Sequence, residues 1–314
     1  MDLHDLQRHD VLDPAPDDET AARLYVPRQD LHGNTSGLED AVVRDLRQED
    51  RVALIGPPGS GKSSLTAWIA AHNADIGAVR IPVATTGIDV NDPAAVLNDC
   101  IAMLGRNLDV APPVSLAKVK ATGQVGFPWA KVGAEAEWAA VVREHRPGPD
   151  AEAALEVLQQ VVDGLHDDDQ QLLLVFDDTD KWDAARRHQP DAIRAFFHGV
   201  VDGWLTRLDG ALIASVHHDY LDEHPHILDT FNAQHRLDPL TGTALVDLIR
   251  TRFALAEVAI EDLVTDDALQ RLADVYRDRG HSIRAVLQVL RSAVDRAIDA
   301  RQHVVAIPHV TAAL

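Results

Sequence analysis

The chain has 314 residues, 46% hydrophobic, 25% charged and only 4% aromatic, which excludes a disordered chain and leaves room for one large α/β domain with a smaller partner, its core made mainly of Leu, Val, Ile and Ala. Its 50 acidic and 29 basic side chains give a net charge of −21, a surface that disfavours nonspecific binding to a phosphate backbone. The lone Cys100 rules out an intrachain disulfide and a cysteine-cluster metal site; with no apolar run near the ~20 residues of a membrane helix and no signal-peptide pattern at the start, a cytoplasmic protein without membrane contact is expected.

Residues 1–24 are acidic and carry Asp13-Pro14-Ala15-Pro16-Asp17-Asp18, and read as a flexible arm. Leu24-Tyr25-Val26-Pro27 then leads into a helix over Gly37–Gln48, and Arg51-Val52-Ala53-Leu54-Ile55 is a short apolar run that stops at Gly-Pro-Pro-Gly, as a buried strand does. A helix is expected over Ser63–His72, a second strand over Val79–Val83 and a helix over Pro93–Leu104, with Pro in its first turn. Residues 112–149 differ in character: Ala117-Lys118-Val119-Lys120-Ala121 alternates, Gly123, Gly126 and Gly133 punctuate, and Glu135–Val142 reads as a return strand, so the segment is expected to be a hairpin-like insertion.

Ala151–Leu165 is helical in pattern, and Gln171–Phe176 is an apolar strand ending in acid. Phe196, Phe197, Val200, Val201, Trp204, Leu205 and Leu208 have the one-face spacing of a packed helix, and Ala211–Val216 is a further strand. After about residue 238 strand signals end, and Thr241–Ala256, Thr265–Arg279 and Ser282–Arg301 read as three helices. Strands alternating with helices, then an all-helical tail, predict an α/β fold: a three-layer parallel sheet followed by a helical lid. The expected domains are an arm over 1–24, an α/β domain over 25–238 with its insertion near 112–149, and a helical domain over 239–314.

Gly56-Pro57-Pro58-Gly59-Ser60-Gly61-Lys62-Ser63, followed by Ser64, fits G-x-x-x-x-G-K-[ST] throughout. Glycines let backbone N–H groups curl around phosphate oxygens without Cβ clashes, and the following helix aims its N-terminus at the anion. Lys62 is expected on the β- and γ-phosphates and the Ser63 hydroxyl on Mg²⁺, which makes ATP and Mg²⁺ the expected cofactors. Leu172-Leu173-Leu174-Val175-Phe176-Asp177-Asp178 is an apolar strand ending in two carboxylates. Asp177 is expected to hold the metal's water shell, and Asp178 to orient or deprotonate the attacking water, although Asp is one methylene shorter than Glu.

With these motifs in this order, the chain resembles the AAA+ ATPases, especially the branch near the Orc1/Cdc6-like and STAND-type ATPases, over roughly residues 24–314. Gly56–Ser64 matches Walker A and Leu172–Asp178 matches Walker B. The resemblance implies a polar residue at the end of the fourth strand that contacts the γ-phosphate or attacking water; His217 fits best, with His218 and Ser215 as rivals. It further implies an arginine opening a lid helix, which Gly280-His281-Ser282-Ile283-Arg284 supplies as Arg284. Val26 and Pro27, after Tyr25, stand where the family often packs adenine, and a plain linker is the alternative. The chain departs from the family in having no Arg or Lys between Arg207 and Arg236, where a trans-acting arginine finger is usual; Arg236, Arg186, Arg187 and Arg194 are the substitutes.

Two functions are therefore expected. One is an ATP-hydrolysing AAA+ switch or remodeller that oligomerises with nucleotide and acts on a companion effector protein. The other is a STAND-like signalling module with little turnover. A small-molecule P-loop kinase fits less well, because such kinases rarely carry a helical tail with a G-x-x-x-R element. A DNA-loading role is weakened because the chain ends at Leu314 without the winged helix of the Orc1/Cdc6 relatives. Direct nucleic-acid binding is expected only through Lys118, Lys120 and Lys131, which lie near Phe127, Trp129 and Trp138, or else that segment packs on its own domain.

Overall fold

The computed structural model describes residues 2–32, 37–73, 75–82, 88–110, 137–177, 179 and 190–314. They divide into two compact units, one of Asp40–Gly56 and Ile69–Arg236, the other of Met1–Glu39, Pro57–Trp68 and Leu237–Leu314.

The first unit is built on five strands: β1 (Arg51–Ile55), β2 (Ile76–Pro82), β3 (Gln171–Asp177), β4 (Ala211–Val216) and β5 (Ala233–Arg236). They form one sheet in the order β2-β3-β4-β1-β5, and every pairing is parallel. The near-continuous apolar runs of β1, β3 and β4 follow from burial on both faces, since parallel strands need helical crossovers that cover the sheet. One face presents Ala53, Ile55, Val79, Ile81, Leu172, Leu174, Phe176, Leu212, Ala214 and Val216 to the main core, where they meet helices Pro93–Val110 and Ala151–Asp167. Alternation along the strands puts Arg80, Val175, Asp177 and Ser215 on the other face.

Two stretches differ from what their sequence suggests. Glu137–Glu144, expected as the return strand of a hairpin, is an α-helix that buries Trp138, Ala139 and Val142 in the core, an i, i+1, i+4 face that fits a helix better than a strand. Residues 111–136 lie outside the described ones. The helix expected from Ile193 is a short α-helix, Pro190–Arg194, continued by a π-helix over Ala195–Asp202. Phe196, Phe197, Val200 and Val201 repeat every four residues, longer than the 3.6 of an α-helix, and the wider winding keeps all four buried.

In the second unit, helices Gly242–Leu255, Asp266–Asp278 and Ile283–Asp299 follow the expected pattern, and Ile307–Ala312 adds a short one. Each of the three long helices starts on a hydroxyl that accepts a first-turn N–H: Thr241 from Ala244, Thr265 from Ala268 and Ser282 from Ala285. Such caps contribute about 1 kcal/mol each. Gly280 and His281, at φ +66° and +62°, break the chain between the second and third helices.

The expectation of a flexible arm over 1–24 is overturned. Leu3, Leu6, Val11 and Leu12 are buried in the same cluster as the long helices of this unit. Gln7 donates to Asp295 at 2.7 Å, and the buried Arg252 donates from Nε to the Val11 carbonyl at 3.0 Å. The acidic residues of this segment serve the helices: Asp2 and Asp5 form a capping box on Leu3–Gln7, and Asp17 accepts the Thr20 N–H at the start of Asp18–Arg23. Among the described residues no helix is long and apolar enough to cross a membrane.

Candidate functional site

The glycine-rich loop, from Pro57 on, belongs to the second unit. Gly59 and Gly61 have φ of +75° and +101°, backbone states that L side chains rarely adopt. They turn the chain into helix Lys62–His72, whose first N–H groups have no acceptor within the helix. Lys62 is buried and donates from Nζ to the Pro57 carbonyl at 3.1 Å, lying across the loop it would share with a phosphate. Ser60 is buried, and its Oγ has no hydrogen-bond partner. Ser63 and Ser64 are half-buried in the helix's first turn, and Pro58 is exposed.

The lid helix rests on this loop. The Gly59 carbonyl accepts the N–H groups of Ile283, at 2.9 Å, and Arg284, at 3.4 Å. A Cβ on Gly59 would stand 2.3 Å from Ser282 Oγ and 2.9 Å from Arg284 Cβ. Arg284 therefore starts beside the loop. Arg28 ties the loop from another side: its buried guanidinium donates to the carbonyls of Asp238, at 2.5 Å, and Ser60, at 3.4 Å. The backbone N–H of Arg28 and the Tyr25 hydroxyl both donate to Glu39 Oε1 at 2.7 Å. Burial, then the Glu39 charge, push the Tyr25 hydroxyl's pKa well above its ordinary value. Val26 is buried in the helical cluster and Pro27 is half-buried, so the side chain of Val26 is committed to the core.

In the first unit, β1 ends in the buried Gly56, whose N–H donates to the Val216 carbonyl at 3.2 Å. At the same sheet edge Asp177 closes β3. Its side chain is 4% exposed and held from both sides: Ser215 Oγ on β4 donates to Oδ1 at 3.0 Å, and Arg80 on β2 pairs with Oδ2 at 2.7 Å. Thr179 is buried, donating to the Ser215 carbonyl and receiving the Tyr220 hydroxyl on its own. Thus Ser215, one rival for the polar position after β4, is spent on Asp177. His217 is buried and caps helix His218–Glu223, its Nδ1 accepting the Asp219 N–H at 3.2 Å. That leaves Nε2 to carry the proton in the neutral ring. His218 is half-exposed and pairs with Asp219 at 2.8 Å. Ligand atoms of His217, His218 and Asp219 lie within 4.8 Å of one another.

Asp178, Arg186, Arg187, Lys118, Lys120 and Lys131 lie outside the described residues. Arg194 is exposed at the end of its short helix, and Arg236 is exposed on β5 opposite Ile55. Sequence reasoning missed Arg28, Glu39 and Arg80. Arg28 sits in a segment without periodicity, and Glu39 is a charged residue inside the expected helix over Gly37–Gln48, where an exposed face is the ordinary place for it. Arg80 interrupts an apolar strand, Ile76-Gly77-Ala78-Val79-Arg80-Ile81-Pro82, and a charge inside such a run is the signal that could have found it.

The sequence pattern of the family described as "Novel STAND NTPase 1" matches residues 32–303. Among solved structures, the chain is similar to the Aeropyrum pernix ORC1 protein in complex with DNA, at 16% identity and a TM-score of 0.55 over 93% of this chain and 68% of that one. It is similar to the Aeropyrum pernix ORC2 protein in its ADPNP-ADP complexes, at 15% identity and TM-score 0.54 over 94% and 71%. Drosophila ORC bound to DNA matches at 15% identity and TM-score 0.52 over 96% and 67%. At these identities the likeness is one of fold. A comparison with curated proteins finds no match.

Proposed function

We propose that this chain, which belongs to the novel STAND NTPase 1 family, is an ATP-binding switch that hydrolyses ATP and passes its nucleotide state to a companion protein. The observation that carries the reading is the hydrogen bonding of Ile283 and Arg284 to the Gly59 carbonyl. A loop whose glycines wrap phosphate is fastened to the start of a lid helix, so a change in the loop is felt directly by that helix. Gly56–Ser64 form the phosphate cradle, Lys62 meets the β- and γ-phosphates, and Arg284 reads the γ-phosphate from the lid. Pro27 and the backbone of Val26 border the adenine.

The donor set suits magnesium, a hard cation that takes oxygen ligands: the Ser63 hydroxyl and the Asp177 carboxylate, with Ser215 orienting the latter. Bound Mg²⁺ would supply positive charge against the β- and γ-phosphate oxygens. Asp178 orients the attacking water or takes its proton, and His217 offers its Nε2–H to the γ-phosphate or that water. Turnover is slow, because an arginine supplied by a neighbour is what usually completes such a site; the exposed Arg236 and Arg194, and Arg186 and Arg187, are the candidates to donate it between copies.

The relatives solved with DNA do not carry that role over, since a net charge of −21 opposes a phosphate backbone except at Lys118, Lys120 and Lys131. The reading is tested by binding of a fluorescent ATP analogue and by phosphate release. Parent binding in Mg²⁺ that Lys62→Ala loses supports it, and parent protein without nucleotide affinity refutes it.

A further inference from the structure

Arg80 and Asp177 form a charge pair unlike the surface ion pairs of this chain. Asp177 is 4% exposed, whereas the Arg80 side chain is 33% exposed. Arg80 lies opposite Val175 in the β2–β3 register, so its side chain leaves the sheet on the face that carries Asp177 and crosses diagonally to it. Among the described residues β2 is an edge strand, paired with β3 alone. Ser215 and Arg80 both touch the carboxylate; of the two, Arg80 brings charge, and its side chain is the more exposed.

We propose that Arg80 is a resident counter-ion for Asp177 that exchanges with magnesium, so that this pair sets the Mg²⁺ concentration at which the protein takes up ATP in its metal-bound form. The inference rests on the reading of Asp177 as a holder of the metal's water shell. A buried carboxylate without a cation is strongly unfavourable. In the absence of Mg²⁺, Arg80 supplies the compensating charge and lowers the repulsion that Asp177 exerts on a triphosphate. When Mg²⁺ arrives, two cations compete for one carboxylate, and the partly exposed guanidinium swings outward into water.

The experiment is a magnesium titration of fluorescent-ATP binding to the full chain, with thermal unfolding of each variant run alongside. Arg80→Gln is expected to lower the Mg²⁺ half-saturation about tenfold and to weaken binding in EDTA by a similar factor. Arg80→Lys, which restores the charge, is expected to move both values back toward the parent. A purely structural arginine would change the melting temperature of these variants and leave the Mg²⁺ half-saturation where it was, which overturns the proposal. Should Arg80→Gln fail to fold, Arg80→Met takes its place: an unchanged Mg²⁺ half-saturation and unchanged binding in EDTA overturn the proposal, and a lower half-saturation with weaker binding in EDTA supports it. Asp177→Asn separates the two levels. If it abolishes the Mg²⁺ dependence while Arg80→Gln does not alter it, the nucleotide reading stands and the counter-ion idea falls; if the Mg²⁺ dependence survives Asp177→Asn, the assignment of Asp177 falls and takes this inference with it.

Discussion

Single side chains in this protein are held by partners that reveal their work. Lys62 lies on a loop carbonyl, a contact an ammonium gives up readily for phosphate oxygens. Hydrogen bonds to charged groups are worth about 1.5–3 kcal/mol each, so Lys62→Ala is expected to weaken ATP binding by at least about a hundredfold in a fluorescence titration, with little change in melting temperature. Asp178→Asn is expected to retain ATP binding and lose phosphate release; hydrolysis at the parental rate would remove Asp178 from the role of base. The cap of His217 Nδ1 on Asp219, which puts the neutral ring's proton on Nε2, leads to a parallel forecast. His217→Ala should slow phosphate release more than it weakens binding, because the contact strengthens as the transferred phosphoryl gathers charge.

Elements join parts of the chain that are distant in sequence. The lid helix Ile283–Asp299 gives its first two N–H groups to Gly59 rather than to solvent. A methyl group at Gly59 would adopt an unfavourable φ and collide with Ser282 Oγ, which is already engaged in capping Ala285. Gly59→Ala is therefore expected to destabilise by about 2 kcal/mol through left-handed strain and the displaced cap, a fall of several °C in thermal unfolding. Adding Ser282→Ala should recover part of that loss, since it removes the colliding oxygen. At the other end of the chain the buried N-terminal helix Leu3–Gln7 is a structural part of the helical unit. Leu6→Ala is expected to cost about 2–5 kcal/mol, read by urea unfolding, where a free arm would show no change.

At the scale of the whole molecule, the net charge of −21 opposes nonspecific binding to a phosphate backbone, and the proposed assembly with proteins is open to direct test. Light-scattering mass with ADP, with ATP and with a non-hydrolysable analogue is expected to show a larger species only with triphosphate. A monomer under all three conditions would assign the output to a companion protein alone. With no Arg or Lys between Arg207 and Arg236, an arginine given across such an assembly would come from outside that interval; if it is Arg236, Arg236→Ala is expected to slow phosphate release while ATP binding is kept.

The amino-acid sequence by itself determined the strand-forming runs β1, β3 and β4, the three capped helices of the tail and the glycine-rich loop. Each is decided by local periodicity, a cap residue or a backbone state that only glycine adopts freely. It also placed Asp177 at a strand end, because an apolar run stopping in acid has no other reading in a parallel sheet. Only the tertiary structure decided what surrounds those residues. Arg80 and Asp177 are 97 positions apart by number and meet because β2 and β3 are sheet neighbours. Gly59 and Ile283 meet because the tail folds back on the loop. The buried state of Leu3 and Leu6, the helix at Glu137–Glu144 and the π-turns of Ala195–Asp202 escaped local reading for one reason. Short segments take their conformation from the apolar surface they cover, and that surface is assembled from distant parts of the chain.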